Sequence, residues 1–307
     1  MKGVILAAGK GSRLFPVTHH IPKPLLPLAN RMTLEYAFDR LKEMGIHDIC
    51  VVVGENEPLM REALGDGTQF NVHLSYVRQP EPKGLAHAVS FTKGFVGGDD
   101  FVLYLGDAIY SLGFQEYRDQ FQSSGCANLN IVRHVEDPSR FGVANLDGDR
   151  IVKLVEKPKE PESNWAMAGL YFFGPQIWNV LPDLQPSARG EYEITDAIQM
   201  LIDRGHTVLA GKYPGEWFDT GTLESFLATS RYLSHGHNLI EGHVETHGGE
   251  KQQSVVGPGA DVTCLGLINS VVLPGAQVRV DGVIRDSLLG GLVARESDVI
   301  GEILFGE

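Results

Sequence analysis

The loop Ala7-Ala8-Gly9-Lys10-Gly11-Ser12-Arg13 gathers two glycines, a hydroxyl and two bases directly after a short apolar, β-rich run at 3–8. Open α/β sheets bind ligands beyond the carboxyl ends of their strands, and glycines let backbone amides approach a phosphate closely. Two well-known phosphate motifs do not fit. A P-loop would need glycine where Val4 stands and no glycine after the lysine, and the dinucleotide fingerprint fails at Leu14. Alone, the loop is either a tight turn or a phosphate cradle. Asp107 in Leu105-Gly106-Asp107 and Asp219 in Phe218-Asp219-Thr220-Gly221 are turn carboxylates, suited to capping or turn formation as well as to ligand binding. Gln79 carries an amide that can both donate and accept hydrogen bonds, and Gly84 allows a close backbone approach; a plain strand end at Gln79-Pro80 is the alternative. Glu156-Lys157 is a binding pair or a surface ion pair of small energetic value.

Alternating strand and helix signals must position these groups. After the run at 3–8, Leu34, Ala37, Phe38, Leu41 and Met44 recur at helical spacing, and residues 49–53 read as a buried strand, which completes a βαβ unit. The pattern continues with a strand at 72–77, an Ala-rich helix at 85–91 and a strand at 101–105. From about residue 127 the strands crowd together at 127–133, 142–146, 150–155 and 167–173, with amphipathic helices near 194–204 and 223–233. The sequence therefore predicts an α/β fold with a Rossmann-like sheet. Residues 234–254, rich in Gly, His and Glu without periodicity, read as a linker, and His235, His237, His243 and His247 within it as solvated side chains.

Beyond residue 254 the sequence repeats. Gly257-Pro258-Gly259-Ala260-Asp261-Val262 returns as Leu273-Pro274-Gly275-Ala276-Gln277-Val278, and Asn269-Ser270-Val271-Val272 as Arg285-Asp286-Ser287-Leu288, at offsets of 16 and 17 residues. Short β-runs at a near-constant period predict a parallel β-helix of hexapeptide type. About three coils lie close to the minimum for a stable stack, so the end coils need a covering surface from the catalytic domain or another subunit. The expected domains are residues 1–233, catalytic; 234–254, linker; and 255–307, tail.

Composition narrows the class. A chain of 307 residues with 43% hydrophobic residues supports real cores, and a net charge of −13 excludes a surface built broadly for nucleic acid or anionic lipid. The charge is segregated: residues 1–34 contain Lys2, Lys10, Arg13, Lys23 and Arg31 and no acid. Cys50, Cys126 and Cys264 are odd in number and form no metal-binding spacing, which predicts buried thiols in a reducing compartment, the cytoplasm. No run approaches the roughly 18 apolar residues of a membrane span.

The stretch from Leu6 to Leu25, with Arg13-Leu14-Phe15-Pro16-Val17-Thr18 and Pro22-Lys23-Pro24-Leu25, resembles the signature of the sugar-phosphate nucleotidylyltransferases. The likeness continues in order through Gln79 to Ala86, Leu105-Gly106-Asp107, Arg140-Phe141-Gly142-Val143, Glu156-Lys157-Pro158, Ser163-Asn164-Trp165-Ala166, Gly169-Leu170-Tyr171, Arg189 to Thr195, and Trp217 to Thr222. Across residues 1 to about 233 the sequence is most similar to glucose-1-phosphate thymidylyltransferases, with uridylyltransferases as close relatives, followed by a short left-handed β-helix-like tail.

The resemblance implies a GT-A-like catalytic domain, Mg²⁺ as cofactor, and transfer of a nucleotidyl group from dTTP or UTP to glucose 1-phosphate with release of pyrophosphate. It implies catalytic roles for Arg13 and Lys23 and nucleotide contacts from Ala8, Gly9, Gly11, Ser12, Arg13, Gln79 and Gly84. It further implies sugar-phosphate contacts from Gly142, Glu156, Lys157 and Met167, and metal ligation by Asp107 and Asp219, which spacing alone would not pair. Met167-Ala168-Gly169 departs from the Val-Thr-Gly common in the family, and Ser12 replaces a commoner Thr. The expected partners are a nucleoside triphosphate and a sugar 1-phosphate, in a homo-oligomer without nucleic acid or membrane. The alternative from another class is a non-catalytic nucleotide-sugar-binding regulatory subunit; with no histidine beyond His247, an acyltransferase tail is disfavoured.

Overall fold

The computed structural model describes residues 1–306. Their contacts divide into a sheet unit, Met1–Gly9 with Ala37–Trp217, and a coil unit, Lys10–Tyr36 with the chain from Phe218 onward.

Among the described residues, the sheet unit contains one nine-stranded mixed sheet. Its strands are β1 (Lys2–Leu6), β2 (Asp48–Val53), β3 (His73–Arg78), β4 (Phe101–Leu105), β5 (Asn128–His134), β6 (Gly142–Asp147), β7 (Arg150–Glu156), β8 (Trp165–Phe173) and β9 (Val208–Lys212). The order is β3-β2-β1-β4-β8-β5-β9-β7-β6. The first four run parallel, with Val4 opposite Cys50 and Leu103. Flanked by Val-, Ile- and Leu-rich neighbours, β1 and β2 read as near-continuous apolar runs, as strands covered on both faces do. Because the chain passes from β1 to β2 and β3 on one side and then crosses to β4 on the other, the order reverses at β1 and β4. Ligand crevices open at such a point in α/β sheets.

The expected strands and helices are present to within about two residues at their ends. Helices Glu57–Leu64 and Gln115–Ser124 and strand β9 went unforeseen, along with several pieces of four residues or fewer such as Val17–His20 and Ile177–Val180. Helix Gln115–Ser124 buries only Tyr117 and Phe121, too sparse a stripe to register as periodic. Helix Ile194–Asp203 buries Ile194, Thr195, Ala197, Ile198 and Leu201; each large apolar side chain removed from water there contributes roughly 1.5–3 kcal/mol. Cys50, Cys126 and Cys264 are buried free thiols, and burial pushes the Cys50 thiol up to about 12, which keeps it protonated and unreactive.

In the coil unit, three parallel sheets stack from residue 239 onward. One pairs Leu239–Ile240, Val255–Val256, Val271–Val272, the start of Leu288–Arg295, and Ile303–Gly306. The second pairs His243–Thr246, Asp261–Cys264, Gln277–Val280 and the end of Leu288–Arg295; the third pairs Lys251–Gln252, Gly266–Ile268, Val283–Arg285 and Val299–Ile300. Four coils and the first strand of a fifth enclose Val256, Val262, Leu267, Val272, Val278, Ile284, Leu289 and Val299.

The segment 234–254, expected as a linker, thus supplies the first coil. In His243-Val244-Glu245-Thr246 only Val244 packs toward the apolar interior, so one inward residue in a polar stretch left no period to read. The four histidines there are exposed, as expected. A ladder of buried serines runs up the stack: the amides of Ser270, Ser287 and Glu302 donate to the hydroxyls of Ser254, Ser270 and Ser287 at 3.2, 3.1 and 3.1 Å. Each serine follows a residue in the left-handed region, namely Gln253, Asn269 or Asp286, at φ 50°, 42° and 50°.

Segment Lys10–Tyr36 belongs to this same unit. It buries Leu14, Val17, Leu26 and Leu28 completely. The His20 ring stacks on Phe305 with centroids 4.1 Å apart, and Asn30 Nδ2 donates to Glu241 Oε1 at 2.9 Å and to the Val256 carbonyl at 3.3 Å. Residues of the predicted catalytic domain therefore cover part of the tail.

Candidate active site

Three loops leave the parallel strands of the sheet unit at their carboxyl ends. The first follows β1: Ala7 N donates to the Val52 carbonyl at 2.9 Å, and Asn56 Nδ2 donates to the Ala7 carbonyl at 3.1 Å while Asn56 Oδ1 accepts from Gly54 N. A Cβ on Gly54 would stand 3.0 Å from the Ala8 carbonyl oxygen, so glycine is what lets the turn after β2 press against Ala8. Gly9 is exposed with open space around its Cα. The second loop follows β4: Gly106 N donates to the Leu6 carbonyl at 3.0 Å, and Asp107, half-buried, comes next.

The third follows β3 and carries Gln79, which is only 7% exposed. Gln79 Nε2 donates to the Gly84 carbonyl at 3.2 Å and meets His87 Nδ1 at 3.0 Å. Gly84 has φ 104°, and a Cβ there would stand 2.5 Å from the Tyr192 carbonyl oxygen, so no other residue fits without displacing backbone. Tyr192 holds the loop from both sides, since its N donates to the Lys83 carbonyl and its carbonyl accepts from Ala86 N.

The sheet unit also brings Gly142, Glu156 and Met167 together. A Cβ on Gly142 would lie 2.5 Å from Thr195 Cγ2, 3.1 Å from Met167 Cγ and 3.3 Å from Glu156 Oε2. Glu156 Oε2 accepts from the Thr195 hydroxyl at 3.1 Å, while Oε1 faces Arg189 at 3.4 Å and Lys157 Nζ at 3.6 Å. Burial pushes the Glu156 carboxyl above its ordinary range; Lys157 opposes that shift, the Glu193 charge adds to it, and the Thr195 bond and Arg189 oppose it. Lys157 adopts φ 43°, with its N donating to the Phe141 carbonyl at 3.0 Å. Nearby, the Trp217 ring meets Phe141 at a tilt of 58° with centroids 4.9 Å apart, and its buried Nε1 has no hydrogen-bond partner among the described residues.

The coil unit gathers the remaining residues. Gly11, at φ 64°, is enclosed by Thr18 and the Lys23 Cβ; Thr18 Oγ1 donates to its carbonyl at 2.8 Å. Ser12–Leu14 then forms a single 3₁₀ turn that places Arg13 outward and Leu14 inward. Lys23 is 8% exposed. At Gly221 a Cβ would overlap the Arg13 guanidinium and stand 2.9 Å from Asp219 Oδ1, so a cation and a carboxylate face one bare glycine. A reciprocal cap follows immediately: Ser225 N donates to Thr222 Oγ1 and Thr222 N to Ser225 Oγ, which starts helix Leu223–Leu233 and fixes the Asp219 turn.

The structure therefore collects the expected residues in two sets. Gln79 joins Gly84, and Gly142 joins Glu156, Lys157 and Met167, in the sheet unit; Gly11 joins Lys23, and Arg13 joins Asp219, in the coil unit. Asn56, His87, Arg189, Tyr192, Thr195 and Trp217 carried no assigned role in the sequence reading, although the last four lie in stretches quoted for the resemblance.

The nucleotidyl transferase family model matches residues 2–235. A low-salt glycan biosynthesis nucleotidyltransferase of Haloferax volcanii is 43% identical over 76% of this chain and 66% of its own length. A glucose-1-phosphate thymidylyltransferase of Streptomyces antibioticus is 41% identical over 86% of this chain and 75% of its own. Among solved structures, a Bacillus anthracis protein described as a glucose-1-phosphate thymidylyltransferase, in complex with sucrose, superposes with a TM-score of 0.71 at 36% identity, covering 76% of this chain and 94% of that one. UDP-glucose pyrophosphorylase bound to UDP-glucose superposes with a TM-score of 0.69 at 27% identity, covering 76% of this chain and 98% of that one. With a family model that matches three quarters of its length and relatives of more than 40% identity, the chain belongs to the nucleotidyl transferase family.

Proposed function

We propose that this protein transfers a nucleotidyl group from dTTP or UTP to glucose 1-phosphate, forming dTDP-glucose or UDP-glucose and releasing pyrophosphate. The observation that carries the reading is the convergence of the Arg13 guanidinium and the Asp219 carboxylate on Gly221, in the unit that also holds Gly11 and Lys23. That set suits a reaction between two polyanions and has no evident use in a sugar-binding protein without phosphate chemistry.

In this reading a phosphate oxygen of the sugar phosphate attacks the α-phosphorus in line, and the bond to the pyrophosphate oxygen breaks. Arg13 clamps the triphosphate through its planar fork, and Lys23 offsets charge developing at the α-phosphate. Gly9 and Gly11 keep backbone close to the phosphates, with Ala8 and Ser12 beside them. Gln79 and Gly84 read the base; Glu156 and Gly142 hold the sugar against Met167, and Lys157 binds its phosphate. No general base is required, because a phosphate monoester is largely dianionic near neutral pH.

Asp107 and Asp219 are the carboxylates that would hold Mg²⁺, which prefers one or two carboxylate oxygens with phosphate oxygens and water completing its shell. When bound, the ion supplies charge neutralisation on the phosphates.

Self-association and a cytoplasmic location are part of the proposal. Leu292 and Ile300 stand 60% and 55% exposed on the coils, and the buried free thiols suit a reducing compartment. Pyrophosphate release from glucose 1-phosphate, measured in turn with dTTP, UTP, CTP, ATP and GTP, tests the activity. Turnover with dTTP or UTP supports it, and silence with all five from folded protein ends it.

A further inference from the structure

Gln79 spends both amide protons inside the protein. Its Nε2 lies 3.2 Å from the Gly84 carbonyl, which can only accept, so the nitrogen and not the oxygen of the amide faces that group. The same Nε2 lies 3.0 Å from His87 Nδ1. Since the nitrogen is the donor to both, His87 Nδ1 must be the acceptor, and the imidazole proton sits on Nε2. What Gln79 has left to offer a ligand is its carbonyl oxygen.

We infer that His87 is a positioning residue for base selection: it locks the Gln79 amide with Oε1 outward, so that the protein accepts a hydrogen bond from the base. Uracil and thymine offer a ring N3–H to such an acceptor. Cytosine presents a bare N3, and the two lone pairs oppose each other. The inference rests on the base-reading role proposed for Gln79.

The lock is polar and titratable. The groups around the imidazole are Lys83 and Glu81, paired with each other at 2.8 Å, the Tyr192 ring stacked at 6.0 Å and the Phe91 ring edge-on at 4.9 Å. Protonated His87 would point an N–H at the Gln79 N–H, and the amide would then turn its oxygen inward, giving up the Gly84 bond and presenting N–H to the base. Burial holds the imidazole below its ordinary titration range, Lys83 adds repulsion, and Glu81 opposes both. The lock therefore stands at neutral pH and opens in acid.

The test is the ratio of kcat/KM for the preferred pyrimidine triphosphate to that for CTP, from pH 8 to pH 5, with the CTP inhibition constant used where CTP turnover is too slow to read. Titration of the sugar phosphate, the triphosphate and Glu156 is common to both nucleotides and cancels in the ratio; protonation of cytosine N3, which turns it into a donor in acid, does not cancel, and His87→Gln, which keeps an acceptor that cannot titrate, supplies the baseline for it. Wild type is expected to match His87→Gln at pH 8 and to fall about tenfold below it toward pH 5, the scale of one mismatched hydrogen bond. His87→Leu should show a low ratio already at pH 8, with KM for the preferred nucleotide rising more than kcat falls. A wild-type ratio that follows His87→Gln at every pH, or a His87→Leu variant with the wild-type ratio and acid limb, overturns the inference. Gln79→Leu separates the two levels: if it keeps the wild-type ratio, the base-reading role falls and the inference with it, whereas a collapsed ratio in Gln79→Leu beside an intact one in His87→Leu removes His87 alone.

Discussion

Replacing Glu156 by Gln should trade sugar affinity for stability. The side chain keeps its shape and its bond to the Thr195 hydroxyl, but the charge facing Arg189 at 3.4 Å and Lys157 at 3.6 Å is gone. A hydrogen bond to a charged group contributes about 1.5–3 kcal/mol and a neutral one about 0.5–1.5, so a sugar hydroxyl held by Gln instead of carboxylate loses about 1.4 kcal/mol, or tenfold in KM for glucose 1-phosphate. Stability should move the other way. The folded protein raises the Glu156 pKa, chiefly by burial, so the carboxyl favours folding most when protonated, below its unfolded pKa, and that contribution is lost as pH rises through the folded value. At pH 7.5 the wild type carries that penalty and Glu156→Gln does not; below the ordinary carboxylate range the two converge. Initial rates with varied glucose 1-phosphate, together with melting curves at pH 7.5 and pH 4, read both effects. An unchanged KM would refute the sugar contact. A variant that melts lower than wild type at pH 7.5 would refute the argument that burial of the charge outweighs its two partially exposed partners.

Three further outcomes are expected. Lys23→Ala and Asp107→Asn should each lower turnover by at least about 100-fold, the usual loss for electrostatic stabilisers, in single-turnover assays with folded protein; rates near wild type would remove their assigned roles. Gly84→Ala puts a Cβ against the Tyr192 backbone at φ 104° and should cost about 1–3 kcal/mol of stability and raise KM for the nucleotide more than for the sugar, as steady-state kinetics with each substrate varied would show. Ser270→Ala leaves Ser287 N without its acceptor at a fully buried position and should destabilise the coil unit by about 1–3 kcal/mol in denaturant melts.

The groupings of candidate residues were legible in the sequence wherever one turn holds several of them. Gly9, Gly11 and Arg13 lie within five residues of one another, and Gln79 and Gly84 within one loop. The residues that orient them were not, because the contacts join distant segments: Asn56 reaches Ala7, Tyr192 brackets Gly84, and Thr195 meets Glu156 across 39 residues. The sheet emerged through its apolar runs, and the first tail coil did not, since only Val244 of its longest strand packs inward. The repeat of Pro-Gly-Ala at 258 and 274 exposed the later coils. No local pattern could have revealed that Lys10–Tyr36 groups with the tail, a matter of long-range packing alone.

The stacked coils behave as a one-dimensional array in which each turn leans on its neighbours, and Ile303–Gly306 leans both on the start of Leu288–Arg295 and, through Phe305, on the His20 ring. His20 lies three residues before Lys23, so loosening of this coil is felt in the segment to which phosphate handling is assigned above. Phe305→Ala should therefore lower the temperature at which activity is lost by more than it lowers the main melting transition. Activity and calorimetric curves recorded side by side would show it, and equal shifts would refute the link. The coil stack would then set the temperature at which the first loop still works.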